Sequence, residues 1–223
     1  MFESKYSKLL TILLIVGIIV IIGVLSVTGF IIIKNGKLKQ EAEDAVDHFQ
    51  GQENEIEDNI DNNPITNEIT PIIGIENIVI DNNTSNSNTT NTYKGFPMVG
   101  TIEIPAINLK YPVLEDASKN AIEVAVGIYD GPGLNQIGNT TIAGHNYRDG
   151  RFFSNNKKLV EGDKVYITDT TGQKITYVIY KIYTTSPEDS SYLDRDTEGR
   201  REISLTTCTD DAKSRLIIWA KEQ

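Results

Sequence analysis

At 223 residues the chain has room for one ordinary domain of about 100–150 residues plus appendages, which rules out a multidomain enzyme. Its 31 acidic and 21 basic side chains give a formal charge of −10, which opposes non-specific attraction to phosphate backbones, so no nucleic acid is expected as a partner. With one cysteine, Cys208, and two histidines, His48 and His145, neither an intramolecular disulfide nor a Cys-rich zinc site is possible, and any catalysis must use a short set of side chains.

Residues 1–8 form a short tail ahead of Leu9–Ile33, a run of 25 uncharged residues, nearly all Leu, Ile, Val, Gly or Phe. About 20 such residues in a helix cross a hydrocarbon core of about 30 Å, so residues 9–33 are expected to form a transmembrane helix. The run is too long for the apolar region of a secretory signal, and no small-x-small site follows it before the lysines, so the anchor is expected to be retained. Lys5 and Lys8 precede the span and Lys34, Lys37 and Lys39 follow it. This near balance of flanking charge leaves the orientation undecided.

Residues 34–95 read as an acidic stalk and linker, and residues 40–99 hold twelve acids against Lys94 alone. Leu38, Ala42, Ala45, Val46 and Phe49 recur near helical spacing, which predicts a short stalk helix over residues 37–60. His48 has no companion ligand one helical turn away and reads as a solvated helix residue. From Asp61 to Thr92 the composition shifts to Asn, Thr, Ser and Ile, with too little apolar surface to offset ordering, and reads as a spacer. The sequons at Asn82, Asn83, Asn88 and Asn139 are read as chance occurrences.

From Phe96 to Gln223 the pattern is β. VGTIEIP, LKYPVL, a run near Ala125–Tyr129, NTTIAGH, DKVYITD, KITYVIYKIYTT, REISLTTC and RLIIWAK alternate with period two between Gly, Pro, Asn and Asp signals. This density of short strands predicts a closed barrel or a sandwich rather than βαβ units. Short helical pieces are expected near Ser118–Ile122 and Phe152–Leu159.

Cys208 ends the run Glu202–Cys208, in which Glu202, Ser204, Thr206 and Cys208 share one strand face and Ile203, Leu205 and Thr207 the other. That places the thiol on the more polar face, toward solvent and substrate. A lone Cys is ordinarily a small buried hydrophobe. Two features argue for more. His145 follows a predicted strand in TTIAGHNYRDG, which puts its imidazole at a loop mouth, and Arg215 opens the last strand seven residues after Cys208, so a hairpin returns it beside the thiol. A thiolate is a strong nucleophile, an imidazole shuttles protons near neutrality, and a guanidinium donates hydrogen bonds to an oxyanion. Together they suit acyl transfer through a thioester. A free thiol is mostly protonated at neutral pH; the guanidinium favours the thiolate whereas desolvation opposes it.

These residues resemble the sortase family, the membrane-anchored cysteine transpeptidases of Gram-positive bacteria. SLTTC at Ser204–Cys208 is similar to the family's TLxTC, with Ser204 in place of Thr, and is joined by AGHN at Ala143–Asn146 and by Arg215 in SRLIIWA. Histidine, cysteine and arginine follow in the family's order, 63 and then 7 residues apart. VGTIEIPAINLKYPVLE and LVEGDKVYI add to the resemblance, which covers about Phe96–Gln223 and the N-terminal span. No DPF or DPW lid motif precedes the domain, no second apolar span follows Gln223, and only 19 residues separate Tyr183 from Ile203; these features point to a class A-like or class D-like member.

The resemblance implies a mostly β fold, a closed eight-stranded sortase-like β-barrel with short connecting helices over residues 96–223. It further implies cleavage of an LPxTG-like sorting signal between Thr and Gly. Cys208 would attack the Thr carbonyl, Arg215 would hold substrate and steady the oxyanion, His145 would relay protons, and Thr207 would contribute to substrate binding. The implied partners are surface proteins with a C-terminal sorting signal and an amine acceptor from a cell-wall precursor or pilin. The implied location is the cell membrane, single-pass, with the catalytic domain extracytoplasmic. No cofactor and no metal are expected, because the acidic pairs Glu115/Asp116, Glu188/Asp189 and Asp210/Asp211 lack an EF-hand pattern. Two other functions remain open at this stage: a non-catalytic membrane-tethered β-module that binds a surface partner, and a thiol hydrolase in which water resolves the acyl-enzyme.

Overall fold

The computed structural model describes the backbone of residues 2–60 and 91–223, and the side chains of residues 8–51 and 91–223. The spacer expected over residues 61–92 lies almost wholly outside the described residues, as do three of the four sequons.

One continuous helix, α1 (Phe2–Ile60), takes the place of an anchor followed by a separate stalk helix. No residue of its apolar stretch is buried, and it is the one helix among the described residues long and apolar enough to cross a membrane. Beyond that stretch the helix packs on the barrel. Ala42, Val46 and Phe49, spaced by four and three residues, are buried, as expected for one face of a helix docked on a neighbour. Polar contacts frame this stripe: Lys94 pairs with Glu41 at 2.9 Å, Lys110 pairs with Asp47, and Gln50 Nε2 donates to Thr101 Oγ1 at 3.2 Å and to Glu103 Oε1 at 2.9 Å. The periodicity read as a stalk therefore marks a docking face. His48 is exposed, as the sequence indicated.

The strands are β1 (Thr92–Tyr93), β2 (Phe96–Ile104), β3 (Leu109–Leu114), β4 (Val126–Asp130), β5 (Gly138–Ala143), β6 (Lys164–Asp169), β7 (Lys174–Thr185), β8 (Arg201–Cys208) and β9 (Arg215–Glu222). The two-residue β1 only extends β2 at its start. The other eight close into a barrel in the order β2-β3-β4-β5-β8-β9-β7-β6, with β6 pairing back onto β2. Closure leaves these strands no free edge. The β3–β4 and β5–β8 pairs are parallel and the rest antiparallel.

Ile102, Ile142, Ile167, Ile179, Ile203, Leu205 and Ile218 fill the interior. They sit at alternate positions because successive strand side chains point to opposite faces. Phe153–Lys158 forms the expected short helix, of 3₁₀ type. The chain at residues 118–125 instead makes tight turns, with Ile122 N–H on the Ser118 carbonyl at 3.0 Å and Ala125 N–H on that of Ala121 at 3.2 Å. With only isolated bonds of this kind, no helix propagates there.

The outer face of β8, the more polar one in sequence, is covered. Glu202, Ser204 and Thr206 are buried, because the connection between β7 and β8 (residues 186–200) folds over them. On that face Cys208, at the end of the strand, is partly exposed.

Candidate active site

The β8–β9 hairpin pairs Cys208 directly with Arg215, and Arg215 Nη1 donates to Cys208 Sγ at 3.3 Å. The connecting turn is fixed locally: the Thr209 N–H reaches the Ser214 carbonyl at 3.0 Å, and Thr209 Oγ1 donates to Asp211 Oδ1 at 2.6 Å.

His145 is brought in by the parallel β5–β8 ladder, whose last pair is Ala143 with Thr206. Two residues further along each chain lie His145 and Cys208. Hydrogen bonds hold this overhang in step: the Gly144 N–H on the Thr206 carbonyl at 3.2 Å and Asn146 Nδ2 on the Cys208 carbonyl at 2.9 Å. Gly144 has no room for a side chain, since an added Cβ would come within 2.8 Å of Val126 Cγ1 and 2.9 Å of Phe153 Cδ2. The close packing of Val126 and Phe153 thus sets where His145 projects.

Around the imidazole stand two further groups. Glu123 Oε1 lies 3.7 Å from His145 Nε2, and Glu123 Oε2 accepts a 2.6 Å hydrogen bond from Tyr147 Oη. The Tyr147 ring sits 5.0 Å from the imidazole; burial first, and then the bond to Glu123, push its hydroxyl up to about 12. Nothing near Glu123 in sequence marks it, because it lies on a turn 22 residues before the histidine. Asn146 stands inside AGHN, yet only the fold reveals that it ties the histidine loop to the cysteine backbone.

His145, Thr207, Cys208 and Arg215, the four residues singled out from sequence, line one cleft of about 270 Å³ with apolar walls that include Ile122, Tyr129, Pro187 and Tyr192. Thr207 is buried, and its Oγ1 finds no hydrogen-bond partner among the described residues. A second cleft, of about 440 Å³, opens beside the first and shares Thr207 and Cys208 with it. Its lining is polar at one side, with Asn146, Lys157, Asp210 and Asp211. Hydrogen bonds from Lys157 and then from Asn146 hold the Asp210 carboxyl below its ordinary range. Among the described residues no cluster of His, Cys, Asp and Glu is arranged to hold a metal.

Comparison with known proteins places this geometry. The sortase domain family model matches residues 102–223, from the last residues of β2 through β9, with all four site residues. The chain belongs to the sortase family. It is 29% identical over 125 residues to sortase A of Bacillus anthracis, covering 54% of this chain and 58% of that protein. It is 31% identical over 128 residues to sortase D of Bacillus subtilis strain 168, covering 55% and 62%. The chain thus spans somewhat more than half the length of the curated relatives it matches. Among solved structures, a Clostridium perfringens sortase D5 transpeptidase superposes with a TM-score of 0.52 at 30% identity, over 56% of this chain and 79% of the other. Sortase A from Corynebacterium diphtheriae gives 0.53 at 27% identity, over 57% and 61%. The closed mostly β barrel expected from sequence is therefore the fold of this family.

Proposed function

We propose that this sortase is a cysteine transpeptidase that cuts an LPxTG-like sorting signal between Thr and Gly and transfers the acyl part to an amine. The observation that carries the reading is the 3.3 Å contact from Arg215 Nη1 to Cys208 Sγ, in a cleft that His145 also lines.

The chemistry follows from the groups. The Cys208 thiolate adds to the Thr carbonyl, and the resulting oxyanion accepts hydrogen bonds from Arg215 and the unpaired Thr207 hydroxyl. Collapse breaks the Thr–Gly bond as His145 protonates the departing Gly amine, leaving a thioester on Cys208. An acceptor amine then adds to the thioester while His145 takes its proton; collapse forms the new amide and frees the thiolate. The apolar cleft suits the sorting signal, and the polar cleft on the other side of Cys208 suits the amine.

Residues 9–33 serve as a single-pass anchor, residues 34–95 as arm and linker, and residues 96–223 as the catalytic domain, held outside the cell. There it meets surface proteins bearing a C-terminal sorting signal and an amine acceptor from a cell-wall precursor or pilin. The test is incubation of the full chain in detergent with an LPxTG peptide panel and an amine, followed by mass spectrometry. A Cys208 adduct and a transfer product are expected. Undiminished turnover in Cys208→Ala, or no adduct with any peptide, overturns the proposal; release of acid alone in saturating amine indicates a hydrolase instead.

A further inference from the structure

The connection between β7 and β8 supplies one wall of the apolar cleft through Pro187 and Tyr192. It contains no helix or strand of its own, so something else must hold that wall in shape. The fastening lies beneath it, on the buried outer face of β8. Arg195 turns inward from the connection until its side chain is 9% exposed, against a Glu202 side chain at 3%.

Its guanidinium is occupied on both forks. Nη1 donates to Glu202 Oε2 at 2.7 Å and to Tyr180 Oη at 2.8 Å, while Nη2 donates to Asn139 Oδ1 at 2.8 Å and reaches Ser204 Oγ at 3.4 Å. Its central carbon stacks 4.1 Å from the centre of the Trp219 ring. Asn139 passes the connection onward, since its Nδ2 donates to the carbonyls of Tyr192 at 3.0 Å and Leu193 at 2.8 Å. One side chain thereby joins β5, β7, β8 and β9 to the backbone of the residue that walls the cleft.

We propose that Arg195 is a positioning residue: its buried pair with Glu202, relayed through Asn139, holds Tyr192 where the bound peptide must pack. The proposal rests on the reading of the cleft as the peptide site. A buried ion pair contributes little net stability relative to an apolar pair of similar volume, so what this pair supplies is geometry. Lysine matches the charge but lacks the planar fork that reaches Glu202 and Asn139 together. Ser204, the position that departs from the family's Thr, takes part as well: its hydroxyl donates to Asn139 Oδ1 at 2.9 Å.

The test compares the full-length chain with Arg195→Lys and with the double variant Arg195→Met/Glu202→Leu, which removes both charges and leaves neither stranded. Hydrogen exchange is measured across residues 186–200, and kcat and KM are measured separately on the peptide panel. Amides of residues 190–195 are expected to exchange about tenfold faster in both variants while β8 stays protected. KM for the best peptide is expected to rise about tenfold with kcat within about twofold, and Lys restores neither. Unchanged exchange in the double variant overturns the proposal, as does a fall in kcat at constant KM. Exchange needs no substrate, so it decides the role of Arg195 even if no peptide is turned over and the reading of the cleft fails.

Discussion

Both faces of β8 are buried, yet opposite chemistries fill them. On the inner face Ile203 and Leu205 meet Ala220 and Ile218 of β9, with apolar side chains from the rest of the barrel around them. On the outer face Glu202 and Ser204 meet Arg195, Asn139 and Tyr180 through hydrogen bonds of 2.6–3.4 Å. Apolar burial is non-directional and scales with area, so the inner face stabilises the barrel without setting any one distance tightly. Hydrogen bonds to charged groups are directional, so the outer face fixes where a connection lies. Cys208 stands where both coverings end, which leaves the thiol accessible on a rigid base.

The largest effect separates the strand end from both faces. Cys208→Ala is expected to lower transfer by at least about a thousandfold, with the melting temperature of the detergent-solubilised chain unchanged; a surviving rate assigns the nucleophile elsewhere. Next, Leu205→Ala is expected to cost about 2–5 kcal/mol by cavity formation, read from the denaturant midpoint at constant m, whereas Leu205→Met costs less than about 1.5 kcal/mol. Equal costs for the two would deny the inner face its role as a volume-filled core.

A pH titration probes the outer face. Burial, and then the hydrogen bond to Glu202, push the Tyr180 hydroxyl up to about 12. An unfolded tyrosine titrates near ~10, so the folded chain keeps a proton that the unfolded chain gives up. The stability this contributes is complete below pH ~10 and is lost as pH rises toward about 12. Tyr180→Phe is expected to flatten that alkaline decline; an unaltered slope assigns the decline to other groups. The smallest effect concerns the exposed pairs that frame the docked helix. Lys110→Ala removes the contact with Asp47 and is expected to cost less than about 1 kcal/mol, diminishing with salt. A larger, salt-independent loss places that pair with the buried ones.

Strand positions were legible because two local signals coincide: alternation of side chains and the Gly, Pro and Asn punctuation between runs. Leu109–Leu114, Lys174–Thr185 and Arg201–Cys208 match the residues read from sequence end to end. The meeting of Cys208 with Arg215 was legible for the same reason, since a short connection between two strands permits little but a hairpin. Glu123 escaped notice because its link to His145 passes through space rather than along a pattern. The cover over Glu202, Ser204 and Thr206 was not legible because alternation separates two faces without saying what covers either.

Sequence alone determined what is local or chemically scarce: the apolar span, the strands, and a single thiol with two histidines to choose between. Tertiary structure decided which neighbours those elements acquire. It laid the second part of α1 on the barrel, paired β5 with β8 in parallel so that His145 is carried beside Cys208, and folded a polar connection over Glu202 and Ser204. Periodicity reports the faces an element presents, and only packing, which sums contacts across distant residues, determines what each face meets.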